Sequence, residues 1–283
     1  MKIVFLGTDA FLTTFISVAK SHEIVALYSC SGSEDFFRDS EVIHYAVKSG
    51  IPVHYHTITP EEEKEYIRDG VRLFLSADYG RKIPILSKAE GFFGINIHAS
   101  LLPLGRSYCP IECALERGMD HTGITIHKLS EHLDRGDILL QKEIPILPEE
   151  DSVDLYLKCD CTAMELLTGF FDDMEKCWAS ARPQTSQYPY WRIQHIEEAR
   201  YTHELTLQEA KARYRIYNRM VRVRIKGRVY FVKSVYFSKE KLTVPEIDLG
   251  DIWLYALSDG HVRLGVVQAA DHRVWDAKEY PFR

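Results

Sequence analysis

The sequence predicts an α/β protein in two parts. Residues 1–180 form a domain built on a mainly parallel sheet, and a small β-rich domain follows over 201–283. Three observations carry this. Strand-like and helix-like segments alternate through the first half. A long amphipathic stretch, Ser152 to Trp178, closes that half. The composition then changes at Ala181–Tyr190, which is polar, aromatic and broken by Pro183 and Pro189.

The elements follow in order. Lys2–Leu6 is a short apolar run that reads as a buried strand, ended by the turn Gly7-Thr8-Asp9. A helix is expected from Phe11 to Lys20 and a strand from Glu23 to Tyr28. A second helix should run from Ser40 to Ser49, with Gly50 closing it. Pro60–Asp69 is an acidic helix with Thr59 placed to cap it and Pro60 suited to its first turn. Strands are expected at Val71–Ser76 and Gly94–His98, with helices covering both faces of the parallel sheet they build. Gly123–Lys128 and Asp137–Ile146 are further strands. In the long helix, Leu155, Cys159, Ala163, Leu166, Leu167 and Phe170 make the apolar stripe. Residues 181–200 read as a linker on the surface. The tail carries one helix, Thr206–Tyr217. It also carries strand-like runs at Met220–Ile225, Val229–Val235, Ile252–Ala256 and Val262–Val267, with Asp259-Gly260 as a hairpin signal. An OB-like barrel is one form this tail can take.

At 283 residues, 46% hydrophobic and 27% charged, the chain is long enough for one large domain and one small one. Its net charge of -6 argues against a protein whose main task is to grip a phosphate backbone. Six cysteines include no CxxC pair and no matching histidine cluster, so no metal site is expected and the thiols read as reduced. No apolar run approaches the length of a signal peptide or a membrane span, so the expected location is the cytoplasm.

The segment Asn96-Ile97-His98-Ala99-Ser100-Leu101-Leu102-Pro103, with Leu133-Asp134-Arg135-Gly136-Asp137 further on, carries the chemistry. Asn96 and His98 sit two apart, so on a strand they share a face. Polar groups on a buried strand need a reason to be there. Acyl transfer to an amine supplies one. An amide N–H can bond the carbonyl oxygen as it gains charge, and an imidazole can handle the amine's proton. A carboxylate such as Asp134 can steady the charged ring. An activated acyl donor needs no serine or cysteine nucleophile.

These residues resemble the signatures of the 10-formyltetrahydrofolate-dependent formyltransferases, and further blocks agree. Ile3-Val4-Phe5-Leu6-Gly7-Thr8 is similar to that family's first strand and turn. Tyr79-Gly80-Arg81-Lys82-Ile83-Pro84 is similar to its folate-lining segment, and Thr122–His127 and Leu133–Ile138 are similar to its later blocks. The likeness runs from residue 1 to about residue 180 and implies a Rossmann-like core. It implies that Asn96 polarises the formyl oxygen, His98 is the acid/base, and Asp134 supports His98 and lies near the pterin. It implies that Arg81, Lys82, Ile83 and the loop Ser130, Glu131, His132, Leu133 and Asp134 hold 10-formyltetrahydrofolate, mostly through backbone groups. Ser100, Arg106 and Tyr108 would then face the acceptor.

The family divides by formyl acceptor. The tRNA-dependent members usually carry a basic loop after the second strand, whereas Ser31–Ser40 here is short and net acidic. The basic run Arg219–Arg228 alternates with apolar residues, as the wet face of a strand does. A nucleotide-linked amino sugar is therefore the expected acceptor, with Tyr188, Tyr190 and Trp191 able to stack on a base. Methionyl initiator tRNA is the alternative, and a folate-binding protein without catalysis is the second. One departure stands out: Ser107 occupies the place of the family's usual glycine after Arg106. Exposed strand edges in the tail are compatible with a homodimer.

Overall fold

Ile3, Val4, Phe5 and Leu6 are fully buried, as a strand covered on both faces must be. They lie in β1 (Lys2–Gly7) of a seven-stranded sheet. A computed structural model of the chain describes residues 1–29, 41–81, 83, 91–185, 188–250 and 252–268. The chain divides into two compact units, residues 1–148 with 154–192, and residues 149–153 with 193 onward.

In the first unit, β1 is followed by a short 3-10 turn (Asp9–Phe11), α1 (Leu12–Ser21), β2 (Glu23–Tyr28), α2 (Glu41–Lys48) and β3 (Val53–His54). Then come α3 (Pro60–Arg68), β4 (Val71–Ala77), β5 (Phe93–His98), α4 (Pro110–Glu116), β6 (His121–Lys128) and β7 (Ile138–Pro145). The strand order is β3-β2-β1-β4-β5-β6-β7. The first five strands are parallel, while β6 runs antiparallel to β5 and to β7. The sheet is thus mainly parallel, with an antiparallel end. The alternation along the chain does not disclose that reversal, because both kinds of pairing use the same apolar strands.

Local signals set several boundaries. Thr59 accepts from the Glu62 amide and Glu62 answers at the Thr59 amide, a complete capping box at α3. Asp9 reaches across to accept from the Glu41 and Val42 amides at the start of α2, each at 2.9 Å. The long helix expected over 152–178 is two helices, α5 (Ser152–Asp172) and α6 (Met174–Ala179). Asp173 breaks the run because its carboxylate caps the second helix, accepting from the Lys176 amide at 3.0 Å. Buried Asp160 in α5 does the same for α1, taking the Thr13 and Thr14 amides at 2.7 and 2.8 Å.

Residues 181–192, expected as part of a surface linker, belong to the first unit. Ile138 and Arg182 exchange backbone hydrogen bonds in both directions, at 2.7 and 2.8 Å. The Trp191 amide donates to the Arg106 carbonyl at 2.7 Å.

The second unit holds β8 (Arg200–Tyr201), α7 (Leu207–Tyr217), β9 (Arg222–Ile225), β10 (Arg228–Ser238), β11 (Glu246–Asp248), β12 (Ile252–Ala256) and β13 (His261–Gln268). They form one sheet in the order β11-β12-β13-β10-β9-β8. Thr206 and Glu209 make a second capping box, at α7. Tyr201, Tyr217, Val221, Val223, Ile225, Val262 and Leu264 are at most 2% exposed and form the unit's core. Lys226 and Gly227 both have positive φ, 48° and 80°, which suits the two-residue turn joining β9 to β10. In the basic run, Arg222 is buried and donates to the Ile196 carbonyl, while Lys226 pairs with Asp248. No helix among the described residues is long and apolar enough to cross a membrane.

Candidate active site

The parallel strands β1, β4 and β5 end side by side, and their carboxyl ends carry Thr8, Asp78 and His98. Gly7 pairs with Ala77 and Ala77 with Ile97, so the three polar residues fall one step beyond a common register. Ligands of open α/β sheets bind at this edge. A Cβ on Gly7 would come within 2.5 Å of the Ala77 carbonyl oxygen, so only glycine lets β1 and β4 approach there.

The antiparallel strand β6 completes the arrangement. Asn96 on β5 lies directly opposite His127 on β6. The His127 ring has Nδ1 2.8 Å from the Lys128 carbonyl, which can only accept, so Nδ1 carries the hydrogen. Its Nε2 must then accept, and it takes a hydrogen bond from Asn96 Nδ2 at 3.1 Å. This fixes the orientation of the Asn96 amide and leaves its second N–H available. Burial lowers the His127 ring to about 4 against the pull of Asp134, so the ring stays neutral and the bond persists at ordinary pH. Sequence reasoning does not single out His127. The available signal is its place in the alternation Thr125-Ile126-His127, facing the same side as Thr125.

His98 is 6% exposed. Its Nε2 lies 2.9 Å from the Gly105 carbonyl, another pure acceptor, so Nε2 carries the hydrogen when the ring is neutral and Nδ1 is the basic nitrogen. That Nδ1 faces Asp134 Oδ1 at 3.5 Å. Gly105 sits at φ 79°, and a Cβ there would fall 2.7 Å from Ser100 Cβ, so the residue must be glycine for its carbonyl to reach His98. The turn after β5 includes a cis Leu102–Pro103 bond. Thr125 secures it, donating to the Ser100 carbonyl at 2.6 Å and accepting from the Leu102 amide at 3.1 Å.

The structure therefore brings Asn96, His98 and Asp134 together. The other expected site residues divide. Tyr108 lies edge-on to Tyr190, and burial together with the Asp134 charge raises its hydroxyl. Ser100 is buried and donates to the Leu104 carbonyl at 2.9 Å. Arg106, expected toward the acceptor, is 2% exposed, with its guanidinium bonded within the protein to Asp134, Tyr188 and Gln184. Ser107 is buried and accepts from the Cys109 amide at 3.0 Å, so the departure from glycine serves a local turn. Glu131, His132 and Leu133 are exposed, and Ser130 donates to the His132 carbonyl at 2.6 Å. Arg81 donates to the Tyr55 carbonyl and Ile83 packs on the cluster of Val4, Leu6 and Tyr28. Lys82 and the acidic stretch 31–40 lie outside the described residues.

Asp78, which senses the His98 charge, and Glu112, which senses Asp78, are two further desolvated carboxyls. Asp78 accepts from the Thr8 hydroxyl, and burial lifts it to about 6 against the lowering effects of that bond and of the His98 charge. Buried Glu112 accepts from the Tyr156 hydroxyl at 3.2 Å, and burial lifts it to about 7, with Asp78 and Glu116 adding to the rise. An acid raised in this way weakens the fold as pH rises. Below its ordinary value of 4.5 both states hold the proton. Between there and about 7 the unfolded chain releases it and the folded one does not. The penalty reaches roughly 3 kcal/mol above pH 7. Glu112→Gln should therefore raise the melting temperature at pH 8 and change it much less at pH 4.5. Equal shifts at both pH values would contradict a buried, reluctantly ionised Glu112.

Comparison with known proteins bears on the same residues. The family model described as formyl transferase matches residues 1–168, which include every strand of the seven-stranded sheet. The chain belongs to the formyl transferase family. The methionyl-tRNA formyltransferase of Listeria innocua is 32% identical over 180 residues, 61% of this chain and 58% of that protein. That of Ehrlichia canis is 37% identical over 174 residues, 56% of this chain and 55% of that protein. This family member thus spans a little over half the length of the curated relatives it matches.

Among solved structures, HypX from Aquifex aeolicus in complex with tetrahydrofolic acid matches with a TM-score of 0.66 at 16% identity, over 95% of this chain and 46% of that one. The N-formyltransferase from Helicobacter canadensis, in complex with folinic acid and dTDP-3-aminofucose, has a TM-score of 0.55 at 17% identity, over 93% of this chain and 98% of that one. A 4-N formyltransferase from Francisella tularensis has a TM-score of 0.59 at 22% identity, over 82% and 96%. At these identities the likeness is one of fold. Among the described residues no group of three or more His, Cys, Asp or Glu could hold a metal ion.

Proposed function

We propose that this protein transfers a formyl group from 10-formyltetrahydrofolate to a primary amine, with a nucleotide-linked amino sugar as the acceptor. The observation that carries the chemistry is the pairing of an oriented Asn96 amide with a His98 ring held between the Gly105 carbonyl and Asp134.

The residues present suit a formyl donor. Asn96 keeps one amide N–H beyond its bond to His127, and the loop 130–133 offers exposed groups beside Asp134. Arg81 and Ile83 follow β4 at the carboxyl edge of the sheet. A bound donor would supply the formyl carbon: the acceptor's N–C bond forms, the folate N–C(formyl) bond breaks, and the proton held by His98 would pass to the departing folate nitrogen. Asn96 donates its remaining N–H to the formyl oxygen as that oxygen gains charge. His98 takes the proton lost by the incoming amine at Nδ1, and Asp134 stabilises the positive ring. The 3.5 Å separation is longer than a strong hydrogen bond, and charging the ring draws the pair together. In this reading the backbone carbonyl of Gly105 orients the imidazole, and His127 orients the amide.

Two observations support the sugar acceptor. One protein of the same fold, the Helicobacter canadensis N-formyltransferase, is described in complex with folinic acid and dTDP-3-aminofucose. The net charge of -6 also disfavours tRNA. The higher identity to the methionyl-tRNA enzymes favours tRNA as the second reading. The test is an assay of the purified protein with 10-formyltetrahydrofolate and two sets of acceptors: nucleotide-linked amino sugars and methionyl initiator tRNA. Formylation of a sugar and not of the tRNA is the expected result. Formylated tRNA without sugar turnover would replace the acceptor. Folate binding with no amine formylated would leave a non-catalytic binding protein.

A further inference from the structure

The loop that carries Asp134 is gripped from a distant part of the chain. Asp134 adopts φ 55°, the left-handed region that is uncommon for non-glycine residues and in which aspartate is among the better tolerated. Its carbonyl accepts two hydrogen bonds, one from Arg106 Nε at 3.1 Å and one from Gln184 Nε2 at 2.9 Å. Gln184 Nε2 also donates to the Gly136 carbonyl at 2.8 Å, and Gln184 Oε1 accepts from Arg106 Nη2 at 2.7 Å. One amide side chain therefore joins both sides of residue 135 to a buried guanidinium. Gln184 is itself fixed by the two-way backbone bridge between Ile138 and Arg182, two residues before it.

We propose that Gln184 is a positioning residue for the reaction: it sets where the Asp134 carboxylate stands relative to His98, and it acts only through Asp134. The inference rests on the functional reading above for its consequence in turnover. A group that bonds the backbone on both sides of residue 135 controls the one loop whose side chain faces His98 Nδ1. A misplacement of about 1 Å at such a contact costs up to about a hundredfold in rate. Gln184 then belongs to the active site, although the family match ends at residue 168.

The test compares Gln184→Met, which keeps the bulk and removes the donors, with Gln184→Ala, after thermal melts confirm folding. In each, kcat should fall about 10- to 100-fold with KM for the folate little changed. In an Asp134→Asn background the same substitutions should add almost nothing, because the carboxylate they position is gone. The ring ¹⁵N signals of His98, read without substrate and assigned by their loss in His98→Gln, should move in Gln184→Met in the direction they move in Asp134→Asn. That reading needs no turnover, so it decides the positioning role even if the protein formylates none of the amines offered. Unchanged His98 signals in both folded Gln184 variants would overturn the proposal. So would a full additive loss of kcat in the Asp134→Asn background.

Discussion

His98→Ala is expected to lower kcat about 10²- to 10⁴-fold, the range over which a positioned acid/base group acts. The substitution removes the nitrogen proposed to receive the amine's proton, and with it the ring that faces Asp134. Binding of the folate should survive, because the groups assigned to it lie on the loop 130–133 and after β4. His98→Gln is the companion variant. Its amide N–H can still donate to the Gly105 carbonyl, which His98 reaches at 2.9 Å, so it separates loss of the base from loss of the local fold. Single-turnover measurements with saturating folate would read the chemical step directly. A folded His98→Ala enzyme with wild-type turnover would sink the mechanism.

Gly136→Ala is expected to be the most disruptive small substitution in the first unit. A Cβ at this position would lie 1.7 Å from the Lys128 carbonyl oxygen and 2.7 Å from its carbon, both backbone atoms of β6. Neither can move aside without shifting the strand, so the loop carrying Asp134 must lift instead. That lift breaks the Gln184 bond to the Gly136 carbonyl and separates Asp134 from His98. It also disturbs the Lys128 carbonyl on which the His127 ring, and through it Asn96, depends. Overpacking of this kind costs roughly 1–3 kcal/mol or more, and kcat should fall about a hundredfold. Gly169→Ala is the control. It lies inside α5, nothing stands within 4 Å of its added Cβ, and alanine favours the helix by roughly 1 kcal/mol. Melting temperatures should therefore move in opposite directions in the two variants. Equal melting temperatures and full activity in Gly136→Ala would show that the loop has freedom the close contact denies.

Features written in a few neighbouring residues are legible in the amino-acid sequence alone. The cap at Thr59 and the start of α7 at Thr206 are legible, because a side chain three residues from a free amide can reach it in any fold. The pairing of Asn96 and His98 on one strand face is legible for the same reason, since strand geometry has a period of two. The break at Asp173 is hidden, because Asp is a tolerable interior helix residue until its carboxylate finds the Lys176 amide. The reversal of β6 is hidden too, and with it the role of His127, which depends on a partner 31 residues earlier. Arg106 reads in the sequence as a residue for the acceptor. Its burial depends on acceptors supplied by Tyr188 and Gln184, about 80 residues further along the chain.

The sequence by itself determined the fold class, the division into a sheet-and-helix part and a β-rich part, and the residues proposed for the chemistry. Each of these follows from periodicity, capping and side-chain chemistry, which act over a few residues. Only the tertiary structure decided which nitrogen of His98 is basic, how the Asn96 amide is turned, and what holds Asp134 in place. Those depend on the carbonyls of Gly105 and Lys128 and on the side chains of Arg106 and Gln184. Hydrogen bonds select a partner by distance and direction, and the chain brings these groups into range only once the sheet is assembled.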